Sequence, residues 1–341
     1  MSDDMTRRGF VKGAGYTGVA AAMLGGLADA AGPEPTERKS RKQQLAAEKL
    51  RIGTLVRADV KGGPANYIRQ ILPHGFESFS ICFGGLQRLD QAGLAKMAAD
   101  IREVLGDSGA VVSSVGIYGN PLVHNVTAEG WKELIDAARL FGCNIVAGFA
   151  GRIVDKPVPD SMKRFAEVFG PLAKRAADRG ERLAFENCEM GGSWQRGDWN
   201  IAHNPTAWEL MFNAVPAANI GLEWEPAHQM CNLIDPLPQL RKYVRRVFHV
   251  HGKDASIRWD VIHERGIGGS HPFAFHRTPG FGDSNWTDII SALREGGFTG
   301  SIDIEGWHDP IYRGELEMTG QVSALRYLKR CRGGSFVPNP A

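Results

Sequence analysis

The 341-residue sequence predicts an α/β protein built as a single (β/α)8 TIM barrel, preceded by an export signal and a linker. Three observations carry that reading. From Arg51 onward, strand-like and helix-like blocks alternate eight times without a break, which argues for a closed parallel barrel over an open sheet. No glycine-rich GxGxxG turn follows the first strand, which argues against a dinucleotide-binding domain. Four of the strand blocks also carry an ionisable residue near their C-terminal ends, the end at which such barrels hold their active sites.

The blocks run as follows. Arg51 to Arg57 is the first strand, with a helix inside residues 62–72, and the tightly alternating Phe76 to Phe83 is the second. Leu94, Met97, Ile101 and Leu105 recur at helical spacing across residues 90–105. Ala110 to Tyr118 is strand three, followed by a helix over residues 127–141 with Thr127 as N-cap and Gly142 as its stop. Asn144 to Phe149 is strand four, with a helix over 161–178 closed by Gly180. Strand five starts at Arg182 and strand six at Ile220, each followed by one helix, over 206–215 and 238–246. Strand seven starts at Val247, and the helix that follows covers 286–295. Strand eight spans 300–307, and the last helix 315–329. Two connections are unusually long, residues 189–205 and 255–285, and loops of that length in a compact domain are usually functional.

Period-two alternation places the chemistry. In VFHVHGKDA (247–255), His249, His251 and Lys253 share one face while Phe248 and Val250 share the other. RLAFENC (182–188) sets Glu186 against Phe185, IGLEWEPAH (220–228) sets Glu223 and Glu225 against Trp224, and SIDIEGW (301–307) sets Asp303 and Glu305 against Ile304. Glu186, Glu225, His251 and Glu305 therefore converge at one depth inside the barrel. Three carboxylates and an imidazole gathered there repel one another unless a cation is present. Three oxygen ligands and one nitrogen favour Mn2+, with Mg2+, Co2+ or Zn2+ as alternatives. Glu223 and Asp303 lie two residues deeper, as partners for buried Arg, Lys or His. Lys253 is read either as an electrophile facing substrate or as the ion-pair partner of Glu223 or Asp303, and His249 as a hydrogen-bonded core histidine. Trp194, Trp199, Trp307 and Tyr118 are candidates for an aromatic stacking wall, and His124, in the loop after strand three, for a substrate contact. Cys82, Cys143, Cys188, Cys231 and Cys331 are odd in number and far apart, which fits neither a disulfide framework nor a zinc site.

In order and spacing, Asn120-Pro121-Leu122, Phe185-Glu186-Asn187-Cys188, Glu225-Pro226-Ala227-His228, His249 to Asp254, Arg277 to Gly282 and Ile304-Glu305 form a recognisable set. The sequence resembles the xylose-isomerase-like TIM barrels known as sugar phosphate isomerase/epimerases, which include the ketose 3-epimerases, over the whole of residues 51–329. The resemblance implies that Glu186 and Glu305 bind the metal and also exchange the proton, one on each side of the carbon being inverted. It further implies that His228 and Arg277 bind substrate. One departure stands out, since the family's usual strand-six ligand is Asp where this chain has Glu225.

The N-terminus points to export. Thr6-Arg7-Arg8-Gly9-Phe10-Val11-Lys12 is a twin-arginine pattern, followed by an apolar Gly/Ala-rich run and by Ala28-Asp29-Ala30, so residues 1–31 read as a signal handled by the Tat machinery of a bacterial inner membrane. Residues 32–50 read as a solvated linker, 51–330 as the barrel and 331–341 as a tail. The expected destination of the mature protein is the periplasm. Its formal charge of +2 gives no electrostatic case for nucleic acid, and no apolar run later in the chain suits a membrane span. A homo-oligomer is compatible with the sequence.

Together these readings predict a metal-dependent sugar isomerase or epimerase that removes a proton beside a carbonyl and passes through an enediolate. The alternative is a metal-dependent lyase or dehydratase acting on a keto-sugar or keto-glycoside, because losing a leaving group from the β carbon needs the same first step. An endonuclease-like hydrolase would require more His ligands and a basic groove, and a sugar-binding module would require no acid/base pair.

Overall fold

The computed structural model describes residues 50–333 and residue 340, so the expected signal and most of the linker lie outside the described residues. Eight parallel strands close a barrel: β1 (Arg51–Arg57), β2 (Ser78–Gly84), β3 (Val111–Tyr118), β4 (Ile145–Gly148), β5 (Arg182–Glu186), β6 (Ile220–Trp224), β7 (Val247–Gly252) and β10 (Ser301–Ile304), with β10 pairing both β7 and β1. A separate antiparallel hairpin, β8 (Asp254–Ile257) and β9 (Ala274–Arg277), rises from the end of β7. The hairpin lies in a stretch that reads as loop in the sequence, because four-residue strands are too short to show a period.

The helices are α1 (Pro64–Ile71), α2 (Gln91–Leu105), α3 (Asn125–Ala137), α4 (Met162–Asp178), α5 (Pro205–Ala214), α6 (Pro226–Cys231), α7 (Pro236–Tyr243), α8 (Trp259–Arg265), α9 (Trp286–Glu295) and α10 (Glu317–Cys331). Asp90 caps α2 by accepting from the Gly93 amide, and Asn204 caps α5 through Ala207. Thr127 is no N-cap. It lies inside α3, where its hydroxyl donates to the Gly85 carbonyl and ties the helix to the β2 loop. The tail boundary also shifts, because α10 runs through Cys331 and buried Arg332 donates to the Leu50 carbonyl and to Glu77. Leu50 is itself buried, so the fold takes in a residue that the sequence places in the linker. Among the described residues no helix is long and apolar enough to cross a membrane.

The outward faces of the strands make the core that holds the inward faces in place. Phe185, next to Glu186, packs its ring 4.8 Å from Phe169 and 5.4 Å from Phe165 on α4, and 5.8 Å from Trp131 on α3. Each such aromatic pair adds about 0.5–1.5 kcal/mol beyond its buried area. Trp224, between Glu223 and Glu225, is fully buried and donates to Gln239 of α7. A one-residue slip of either strand would expel these rings, so the apolar backs set the register of the acidic fronts.

One buried carboxylate belongs to the scaffold alone. Glu181, just before β5, has side-chain oxygens without hydrogen bonds, and Arg139 and Arg179 stand off at 3.7 and 3.9 Å. Burial pushes its carboxyl up from 4.5 to about 7, against the pull of those arginines. The folded protein then holds a proton that the unfolded chain releases near 4.5, so stability falls as pH rises from there to about 7. Glu181→Gln is expected to raise Tm at pH 8 by about 2 °C, the shift of ~1 kcal/mol in a domain of this size, and to change it little at pH 4. A Tm difference independent of pH in parallel melts would contradict this reading.

Candidate metal centre and active site

Four buried side chains meet at the C-terminal mouth of the barrel. Glu186 ends β5, Glu225 follows β6 at the N-cap position of α6, His251 lies in β7, and Glu305 follows β10. One ligand atom from each lies within 4.8 Å of those of the other three. His251 Nδ1 is 3.5 Å from Glu186 Oε1 and 3.5 Å from Glu305 Oε2. Backbone clamps hold the carboxylates there. Asn187 accepts from the Glu225 amide at 2.7 Å and donates to its carbonyl at 2.9 Å, while Asn200 donates to the carbonyls of Glu186 and Cys188.

The residues fit a divalent cation. Both Glu225 oxygens, Glu305 Oε2 and both ring nitrogens of His251 are buried yet have no hydrogen-bond partner. His228 Nε2 is 2.9 Å from Glu225 Oε1, but not in the direction a hydrogen bond needs. Buried polar atoms without partners are rare in folded proteins, and several converging on one point mark a missing positive charge. The donor set of carboxylate oxygens and one imidazole nitrogen suits the metals that the sequence predicts.

Beneath the cluster a second layer fills the barrel. His251 Nε2 lies 3.1 Å from Glu223 Oε1, which is 2.8 Å from His249 Nδ1; His249 Nε2 in turn is 2.7 Å from Asp303 Oδ2. Tyr118 donates to Glu223, and Ser78 and Ser113 donate to Asp303. Gly53 makes room for this packing, since a Cβ there would collide with the Ser78 carbonyl and the Asp303 carboxylate. Burial opposes charge on Glu223, but His251 and His249 overcome it and hold the carboxyl at about 2. Burial likewise opposes charge on His251, and Glu223 with Glu186 and Glu305 raises it well above the usual histidine range. Glu223 stands behind the ring on its Nε2 side and Nδ1 faces the carboxylates, the placement of a carboxylate behind a ligand histidine.

Above the cluster opens a cavity of about 620 Å3, lined in part by Tyr118, Phe149, Cys188, His228, Lys253, His276, Trp307 and His308. Lys253 does not reach Glu223 or Asp303. The strand ends at Gly252, and Lys253 instead places Nζ 3.1 Å from Glu305 and 3.2 Å from His228. Burial disfavours its charge, yet Glu305 raises its pKa, so the ammonium persists. His228 also faces Glu189 at 2.9 Å. Other substrate contacts expected from the sequence lie elsewhere. Arg277 pairs with Asp309 at 3.0 Å outside the cavity, because alternation along β9 turns the neighbouring His276 inward instead. Trp194 packs against the core beside His203, His124 is exposed at the start of α3, and Trp199 is also outside the cavity lining.

Three contributors were missed in the sequence. His276 comes in with the hairpin, its ring 4.6 Å from that of His228, and burial with Lys253 and His228 nearby lowers it to about 3. Glu189 comes from the loop after β5. His308 sits 2.8 Å from Glu305, three residues along the chain, and that spacing is the one signal which could have exposed it. Burial opposes charge on Glu305, but Lys253, His251 and His308 hold its carboxyl well below the usual range.

A family model described as the xylose isomerase-like TIM barrel matches residues 68–331. The chain belongs to this family. An inosose dehydratase from Clostridium perfringens is 26% identical over 176 residues, 50% of this chain and 54% of that protein, so the chain spans about half the length of the curated relatives it matches. A 3-keto-D-glucoside 4-epimerase from E. coli superimposes with a TM-score of 0.61 at 15% identity, covering 83% of this chain and 100% of that one. A D-psicose 3-epimerase from Clostridium cellulolyticum H10, solved with D-tagatose, gives 0.58 at 14% identity over 83% and 99%. At those identities the structural likeness carries the fold alone. This xylose isomerase-like barrel thus has both epimerases and a dehydratase among its matches.

Metal-stripped protein is expected to gain at least about 5 °C in Tm on saturation with Mn2+, since a ligand at a hundredfold excess over its Kd adds ~2.7 kcal/mol. Glu225→Ala should abolish the gain. Melts unchanged by Mn2+, Mg2+, Co2+ and Zn2+ alike would contradict the site.

Proposed function

We propose that the protein is a metal-dependent isomerase or epimerase of a keto-sugar, working by proton removal beside the carbonyl. The observation that carries this reading is the pair of buried carboxylates, Glu186 and Glu305, each 3.5 Å from the same His251 nitrogen and both lining one cavity. Two carboxylates flanking one substrate carbon can take a proton from one face and return it to the other. Glu186, Glu225, His251 and Glu305 would hold the cation, which when bound supplies positive charge for the developing oxyanion. The residues of the chain do the rest. Lys253 and His308, next to Glu305, keep that carboxylate charged and can restore its proton, and His228 and Lys253 offer donors to sugar oxygens. Tyr118, Phe149 and Trp307 supply aromatic wall against the C–H faces of a ring. On sequence grounds we also propose that the mature protein acts in the bacterial periplasm after export by the twin-arginine route.

A second reading, elimination from a keto-sugar, has its own support. The two carboxylates are unequal, for Lys253 and His308 both gather on Glu305 and could supply a proton to a departing hydroxyl or alkoxide. The sequence match to an inosose dehydratase points the same way. Incubation in D2O with ketoses and 3-keto-glycosides separates the two: deuterium at an inverted carbon supports epimerisation, and an unsaturated product absorbing in the ultraviolet supports elimination. Glu186→Gln is expected to cut kcat about a thousandfold in either case, the usual worth of a positioned acid or base. No exchange and no unsaturated product across the panel would sink both readings.

A further inference from the structure

The cavity over the metal cluster does not stop at the barrel axis. A second cavity of about 700 Å3 adjoins it, running between α1 and the start of α10, with Lys61, Tyr67, Gln70, Glu317 and Met318 in its walls. Leu55, Arg57, Asp59 and Trp307 line both. The space above the cluster alone falls in the range that encloses a drug-sized ligand, so a single sugar ring does not need the second.

Trp307 stands at the junction, in a backbone conformation that has to be held. Its φ is 49°, in the left-handed region that a bulky residue rarely adopts. The His308 amide donates to the Gly306 carbonyl at 2.7 Å, closing a three-residue turn about Trp307, the strained kind of γ-turn. The two residues after it anchor the turn. His308 is held on Glu305, and Asp309 accepts from the amides of Thr278, Ile311 and Tyr312 as well as from Arg277. Strain of this sort costs about 1–3 kcal/mol and tends to occur where a side chain must be aimed. Here it aims two successive side chains at one cavity, His308 at the proton-transfer carboxylate and Trp307 at the passage to the adjoining space.

We propose that the α1/α10 cavity is a second subsite and that the substrate carries a second sugar ring, the keto ring sitting over the metal cluster and the other stacking against Trp307. This rests on the keto-sugar reading above. Arg57 and Asp59, bound to each other at 2.8 Å on the shared wall, present a donor and an acceptor to hydroxyls at the bridge between the rings. Tyr67 and Glu317 do the same further in.

Binding tests the subsite without any turnover. Calorimetry of the Mn2+-loaded protein with cellobiose and with D-glucose is expected to show the disaccharide binding at least about tenfold more tightly. Gln70→Trp fills the far cavity from an exposed position on α1, and should remove that preference. Trp307→Ala should reduce it too. Equal affinity for one and two rings, or a preference untouched by Gln70→Trp, overturns the subsite even if D2O exchange shows enolisation. A two-ring preference in a protein that exchanges no deuterium would keep the subsite and discard the chemistry.

Discussion

The structure is organised around a repulsion. Three carboxylates, Glu186, Glu225 and Glu305, are buried within reach of one another at the barrel mouth, and several of their oxygens have no donor. Isolated in a protein interior, such groups cost several kcal/mol each. The barrel offsets part of that cost by setting His251 among the carboxylates and Lys253 above them, with His308 also against Glu305. The remaining lone pairs point inward at a common centre, which is the geometry of a cation site.

The layer below does more than fill space. Glu223, His249 and Asp303 alternate acid, base, acid down the barrel axis, each hydrogen-bonded to the next and finished by Tyr118, Ser78 and Ser113. That stack places the Glu223 carboxylate 3.1 Å behind Nε2 of His251, with Nδ1 turned to the upper carboxylates. Orientation of a ligand ring by a buried carboxylate lets a metal site stay rigid while its upper face remains accessible.

Loops decide how the common site is used. The hairpin after β7 adds His276, the β5 loop adds Glu189, and the turn after β10 adds Trp307 and His308. The strands bring the four ligand side chains together, and these additions shape the space above them. Lys253 and His308 both stand on Glu305, which makes the surroundings of the two outer carboxylates unequal.

Alternation alone located Glu186, Glu225, His251 and Glu305, because a barrel strand has only two faces and the apolar one must pack under helices. Phe185, Trp224, Val250 and Ile304 made that face unmistakable in the sequence, and the eight-fold repeat of strand and helix did the same for the fold. Tertiary structure decided everything whose position depends on a chain reversal. Counting along β7 leaves Lys253 either facing substrate or paired with Glu223 or Asp303; the strand stops at Gly252, and its long side chain turns to the cavity and Glu305. Arg277 and His276 exchanged roles through the pairing of two four-residue strands that no periodicity reveals. Strand side chains are directed by a local rule of period two, whereas those on turns and excursions are directed by contacts with distant parts of the chain, and such contacts exist only once the barrel has closed.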